Sequence, residues 1–248
     1  LALIVTDITN PFWTTVARGV EDAANKQGYT VIFCNTDESE EKQTQYLSML
    51  VSRRVDGVLL TPARSHPEPV QSLQQHGVEV VVLDRRVPGA DVDVVRSAST
   101  AGARQLTNYL IEQGHRIIAM LSGPVDVSSA NERIVGYRQA MVAADIEYDE
   151  SLVFQGEFTL DAGRNATEAC LQLTPRPTAI FAGNNFIAAG SIQAIREAGV
   201  TIPIDISIVS FDDLSSYNLA EPFLTVMSQQ AYNLGKTAAK RLLKRIAQ

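Results

Sequence analysis

PTAIFAGNNFIAAGSIQAIREAGVTIPIDISIVSFDD, residues 177–213, contains two apolar runs that each end in polar side chains. Thr178–Ala182 delivers the chain to Asn184 and Asn185, and Ile206–Phe211 delivers it to Asp212 and Asp213. The intervening Phe186–Ala198 reads as a helix. A strand, a helix and a strand in that order form a βα unit with a right-handed crossover between parallel strands. The exits of parallel strands are where a chain is free to build a ligand site. Four hydrogen-bonding side chains at two such exits point to a polar small molecule.

The same alternation extends in both directions. Leu1–Thr6, Thr30–Cys34, Gly57–Thr61 and Val78–Leu83 read as strands, separated by amphipathic stretches at Phe12–Gln27, Glu40–Ser52 and Pro67–Gln75. Asn10-Pro11 is a helix start, because proline's fixed φ and missing N–H suit the first turn, and Gly28 and Gly77 close their helices. After Val92–Val95 a second series begins: helix Thr100–Gln113, strand Arg116–Leu121, helix Asn131–Ala144, strand Leu152–Gln155 and helix Leu160–Leu173. Beyond Phe211 the chain passes Pro222 and Leu224–Met227 and ends in a basic helix near Tyr232–Ile246. Two successive βα series imply an α/β protein of two similar lobes.

The chain has 248 residues, 45% of them hydrophobic, and a net charge of −7. That length allows one large domain or two compact lobes. The acidic balance makes this stretch a poor nucleic-acid surface, since phosphate binding needs a positive excess. No apolar run approaches a membrane span, and the N-terminus does not read as a signal peptide. The chain opens on Leu1 within a strand-like run, so it reads as a fragment whose targeting information could lie elsewhere. Cys34 and Cys170 fall within apolar patterns and read as reduced core residues, which favours the cytoplasm.

Blocks of sequence resemble a known family. TDITNPFW (Thr6–Trp13), GYTVIFCNTDES (Gly28–Ser39), SRRVDGVLL (Ser52–Leu60), LIEQGHRIIAMLSGP (Leu110–Pro124), ERIVGYRQAM (Glu132–Met141) and GEFTLDAG (Gly156–Gly163) are similar to the effector-binding core of lactose-repressor/galactose-repressor transcription factors. PTAIFAGNN, DISIVSFDD and LTVMSQQAYNLG (Leu224–Gly235) continue the series in family order. The resemblance implies a periplasmic-binding-protein-like fold: two parallel α/β lobes around a ligand cleft, residues 1–97 with 229–248 forming one lobe and 98–228 the other. It also implies a homodimer in the cytoplasm that meets operator DNA through a preceding helix-turn-helix domain, which is absent from this chain. Crossovers are expected near Val95–Ala98, near Met227–Gln229 and in a tail beyond the last helix.

Several residues could carry the binding. Phe12 and Trp13 follow the first strand, where aromatic faces could pack on a sugar or base, or belong to the helix's core face. Asp84 leaves a strand and is followed by Arg85 and Arg86; the resemblance turns Asp84 toward the ligand, with Arg85 beside it, and the arginines could instead recognise a phosphate. Arg133 would be an ordinary exposed arginine but for the resemblance, which makes it the effector clamp. Phe158 either faces the ligand or joins the core, and Asp161 is a candidate helix cap. Asn184 is a helix cap that the family also points at the ligand. Asn185 departs from the family's aspartate. Asp212 could accept two vicinal hydroxyls, Asp213 is expected to organise the turn, and Gln229 is expected in a crossover. The family's Asp-Asn is replaced by Ala98-Ser99, leaving Ser99 only a capping role.

No nucleophile elbow, phosphate loop, dinucleotide fingerprint or CxxC is present, and His66, His76 and His115 are scattered. Asn165-Ala166-Thr167 fits a glycosylation sequon, which carries no information for a cytoplasmic protein. No catalytic residue, cofactor or metal is implied. The expected function is sensing a small polar effector, a sugar or sugar phosphate ahead of a purine or nucleoside. A secreted solute-binding protein that feeds a transporter is the alternative.

Overall fold

The computed structural model describes residues 1–214 and 224–248; the expectation for Pro222 lies outside them. The first series is β1 (Ala2–Val5), α1 (Pro11–Asn25), β2 (Ile32–Asn35), α2 (Glu40–Ser52), β3 (Gly57–Leu60), α3 (Glu68–Gln75), β4 (Glu79–Leu83) and β5 (Asp93–Val95). The second is α4 (Ser99–Glu112), β6 (Ile118–Ser122), α5 (Ser128–Ala143), β7 (Val153–Gln155), α6 (Leu160–Leu171), β8 (Ala179–Ala182), α7 (Asn185–Glu197), β9 (Ser207–Phe211) and β10 (Thr225–Met227), before the last helix α8 (Ala231–Ile246). A one-turn 3-10 helix, Glu150–Leu152, precedes β7.

Two parallel five-stranded sheets result, ordered β2-β1-β3-β4-β5 and β10-β9-β8-β6-β7. Each belongs to its own unit: Leu1–Ser97, Asp126–Ser128 and Gln230–Gln248 in unit 1, Ala98–Val125 and Ser129–Gln229 in unit 2. The division departs from the expected one at two places. Asp126 joins unit 1, where its carbonyl accepts from the Ser65 N–H at 2.9 Å. Gln229 stays with unit 2, its amide bonded to Asp212.

Side chains alternate across a strand, and the buried clusters follow that alternation. In β1, Leu3 and Val5 pack with Val16, Val20, Leu234 and Leu242 of α1 and α8, whereas Ala2 and Ile4 pack with Leu47, Leu50, Val70 and Leu73 of α2 and α3. In β6, Ile118 and Met120 meet Leu106, Tyr137 and Met141, while Ala119 and Leu121 meet Cys170, Ile187 and Ile195. The strand centres are therefore apolar on both faces, as parallel sheets require. Cys34 and Cys170 are free and buried; burial pushes both thiols up, Cys170 to about 11.

Local signals account for most element ends. Asn10 accepts from the Phe12 N–H at 3.0 Å ahead of Pro11, and Gly28 and Gly77 adopt φ of 79° and 71° beyond their helices. Three details differ from expectation. Thr159, rather than Asp161, caps α6 through the Ala162 N–H. Ser99 is already inside α4, whose capping position, Ala98, offers no side chain to cap with. Helix α5 begins at Ser128, three residues earlier than read, which puts Arg133 in its second turn.

Paired helices meet through glycine. A Cβ on Gly19 would lie 2.1 Å from the Tyr232 carbonyl oxygen, and one on Gly235 2.1 Å from that of Val16, so α1 and α8 touch backbone to backbone. Gly163 and Gly190 do the same for α6 and α7, at 2.3 Å from the Ile187 oxygen and 2.0 Å from the Leu160 oxygen. Helix α8 is also tied to the sheet edge: Arg241 bonds both Asp93 oxygens at 2.9 and 3.0 Å, and Arg245 bonds Asp93 and Glu79 at 3.2 and 2.6 Å.

Two predictions follow from these contacts. Gly163→Ala and Gly19→Ala each lower the unfolding free energy by about 2 kcal/mol or more, because the obstacle is backbone. Gly156→Ala, whose methyl would meet only Ala162 Cβ at 3.4 Å, stays within about 0.5 kcal/mol in the same urea melts. Hydrogen bonds from Arg241, then from Arg245, hold the Asp93 carboxyl below its usual range. Its contribution to stability is therefore complete above the unfolded-state value of about 4 and disappears as pH falls through the lower folded-state value. Asp93→Asn costs about 0.5–1 kcal/mol at pH 7, and its deficit against the parent shrinks in melts below about pH 4.

Candidate functional site

In unit 2, the strand exits gather a polar cluster. Strand β6 leads to Gly123, and a Cβ there would fall 2.2 Å from the Phe158 ring, so the half-buried Phe158 lies directly over this exit. Strand β8 leads to Gly183, whose N–H donates to the Leu121 carbonyl at 2.6 Å and whose carbonyl accepts from Arg133 Nη1 at 2.6 Å. The Arg133 guanidinium is 3% exposed and lies 4.0 Å from the Phe211 ring centroid and 5.9 Å from that of Phe158. The arginine that the resemblance makes the effector clamp is thus buried against the ends of β8 and β9.

Strand β9 leads to Asp212, which adopts φ of 68° and donates its N–H to the Met227 carbonyl at the end of β10. The left-handed residue of this turn is therefore Asp212, and Asp213 beside it is exposed. Gln229 Nε2 donates to Asp212 Oδ2 at 2.9 Å. Its Oε1 is buried with no hydrogen-bond partner among the described residues. Asn184 caps α7, its Oδ1 accepting from the Ile187 N–H at 2.8 Å, which leaves the Nδ2 donor of this amide outside the cap. Asn185 is 2% exposed and turns its oxygen to the Phe186 N–H.

Unit 1 repeats the turn. Asp84 leaves β4 with φ of 62° and donates its N–H to the Val95 carbonyl at the end of β5. Phe12 is half-buried and meets Trp13 edge-on at 4.7 Å. Two expectations need correction here. Trp13, offered as a ligand contact, is 5% exposed and packs with Val5, Val16 and Val20, because its place on α1 faces the sheet. Arg85, offered as a ligand or phosphate contact, is 2% exposed and already engaged. Its Nη1 donates to Glu38 Oε2 and to the carbonyls of Pro62 and Ala63 at 2.8, 2.7 and 2.6 Å, and its Nη2 to Glu38 Oε1 at 2.5 Å. Burial lowers the guanidinium's affinity for its proton, but the charge and hydrogen bonds of Glu38, together with the charges of Asp84 and Asp126, outweigh this, and the pKa ends above the ordinary arginine value.

Glu38 and Phe211 were not singled out from the sequence. Glu38 lies 47 residues from Arg85, and no local pattern joins them. For Phe211 a signal existed: it alternates onto the face of β9 covered by α4 and α5, the helix that carries Arg133. The histidines also find bland roles. His115 sits between the Thr178 and Ser207 hydroxyls at 2.9 Å each, and burial lowers its pKa.

All of residues 1–248 match the family described as periplasmic binding proteins and sugar binding domain of LacI family. The chain is 37% identical over 246 residues to the ribose operon repressor of Halalkalibacterium halodurans, covering 99% of this chain and 72% of that one. It is 36% identical over 247 residues to the transcriptional repressor PurR of Vibrio atlanticus, covering 99% and 74%. Among solved structures, a LacI family transcriptional regulator from Enterococcus faecium with bound ribose superimposes with a TM-score of 0.86 at 31% identity, covering 99% of this chain and 90% of that one. The full-length match, the relatives and the two parallel-sheet units agree: this chain belongs to the LacI family, as its periplasmic-binding-protein-like, sugar-binding domain.

Proposed function

We propose that this chain is the effector-sensing domain of a cytoplasmic transcriptional repressor, and that its effector is an uncharged polyhydroxylated molecule of the sugar class. Asp212, Gln229, Asn184 and Arg133 of unit 2 hold the hydroxyls, and Phe158 covers an apolar face of the sugar. The observation that carries this reading is the Asp212–Gln229 pair. Gln229 gives one amide N–H to Asp212, and its buried carbonyl oxygen has no partner among the described residues and is an acceptor. A ligand that meets this oxygen has to bring a donor. Sugar hydroxyls do so, whereas a phosphate ester brings acceptors and negative charge beside Asp212. Of the two arginines offered for a phosphate, Arg85 is neutralised by Glu38. The relative solved with ribose supports the same class.

Regulation follows from linkage. An effector changes the protein only through its difference in affinity between two conformations. In a homodimer carrying helix-turn-helix heads, a shift between those conformations changes the fit to operator half-sites. Homodimer, heads and operator belong to this proposal. The named relatives are repressors, which favours regulation over solute delivery and over catalysis. Among the described residues no helix is long and apolar enough to cross a membrane.

Calorimetry with D-ribose, other neutral pentoses and hexoses, D-ribose 5-phosphate and free purines tests the reading. A neutral sugar is expected to bind at least about tenfold more tightly than its phosphate ester, and Asp212→Ala and Arg133→Ala each to weaken it about tenfold or more. Tighter binding of the phosphate ester, or of a purine alone, would overturn the sugar assignment. A sugar that binds with both variants unaffected would place the site elsewhere.

A further inference from the structure

We infer that Phe211 is a positioning residue, its π-face setting the plane in which Arg133 is presented to the effector. This role rests on the effector site proposed above. Arg133 reaches the strand exits from the second turn of α5 on a long, rotatable stem, and its guanidinium is 3% exposed. The hydrogen bond from Nη1 to the Gly183 carbonyl ties one edge of the fork. The Phe211 ring, its centroid 4.0 Å from Cζ, lies against the cationic face. Phe158, at 5.9 Å, lies at the limit of such an interaction.

The ring is itself immobilised. Phe211 is 1% exposed in the last position of β9, and the α4 backbone approaches it at Gly102, where a Cβ would fall 3.1 Å from ring carbons and 2.9 Å from Met227. Gly183 is equally confined, since a Cβ there would meet the Leu121 oxygen at 2.7 Å. One edge and one face of the guanidinium thus rest on parts of the sheet that cannot easily move. A residue that only fills core volume responds to ring size; one that positions a cation responds to the electron density of the ring face.

That difference is the test. Phe211 is replaced in the whole chain by 4-fluoro-, 3,5-difluoro- and 3,4,5-trifluorophenylalanine, which keep nearly the same volume while the ring face loses negative potential. Melting temperature is read in the parent and in Arg133→Met, and D-ribose affinity in the parent series. The expected result is a stepwise fall in Tm with each fluorine in the parent, a flat series in Arg133→Met, and D-ribose binding about tenfold weaker across the parent series. Equal slopes in the two backgrounds would reduce Phe211 to packing and overturn the inference, as would a D-ribose affinity that stays constant through the series. If no neutral sugar of the panel is bound, or if D-ribose is bound equally by Arg133→Met, the effector proposal fails, and the two Tm slopes still decide whether the ring holds the cation.

Discussion

Both sheets must be buried on two faces at once, and the rest of the structure depends on that requirement. A parallel strand is followed by a helix that returns over the sheet, so its side chains have helices above and below. The alternation of β1 and β6 between opposing helical layers is the direct record of this constraint. The polar groups of the chain are left with the strand ends. Close helical layers then need helices that touch, and glycines at the α1–α8 and α6–α7 crossings remove the side chains that would hold them apart.

The same plan is executed twice, down to single residues. In each sheet the fourth strand in chain order is followed by an aspartate in the left-handed region, Asp84 at 62° and Asp212 at 68°. Each donates its N–H to the last residue of the neighbouring strand, Val95 or Met227. A non-glycine residue in this conformation is strained, and such strain concentrates where a side chain has to be aimed. In both units the carboxylate is aimed from the exit, where the sheet's own hydrogen bonding has run out.

Much of this was legible in the sequence because the signals are local. The succession of strands and helices in each series, the cap at Asn10, the glycine stops and the polar exits at Asn184 and Asp212 all depend on neighbouring residues, which the sequence displays. Long-range neutralisation was not legible. Arg85 resembled a ligand contact because it follows an aspartate at a strand exit; only the fold brings Glu38 to it. Trp13 was ambiguous for a related reason, since one turn of α1 places adjacent aromatics on different faces, and only packing decides which is buried. The family resemblance supplied what periodicity lacked at Arg133, an arginine that by composition alone belongs on a surface.

The Arg85–Glu38 pair also carries an evolutionary consequence. The Arg85 charge is held away from water beside the partly exposed Glu38, and the guanidinium ties down two carbonyls besides its carboxylate. Losing Glu38 leaves a buried guanidinium without its carboxylate, which is far more harmful than replacing both by apolar groups of similar size. A change at Glu38 is therefore best tolerated when Arg85 changes with it, although 47 residues separate them along the chain.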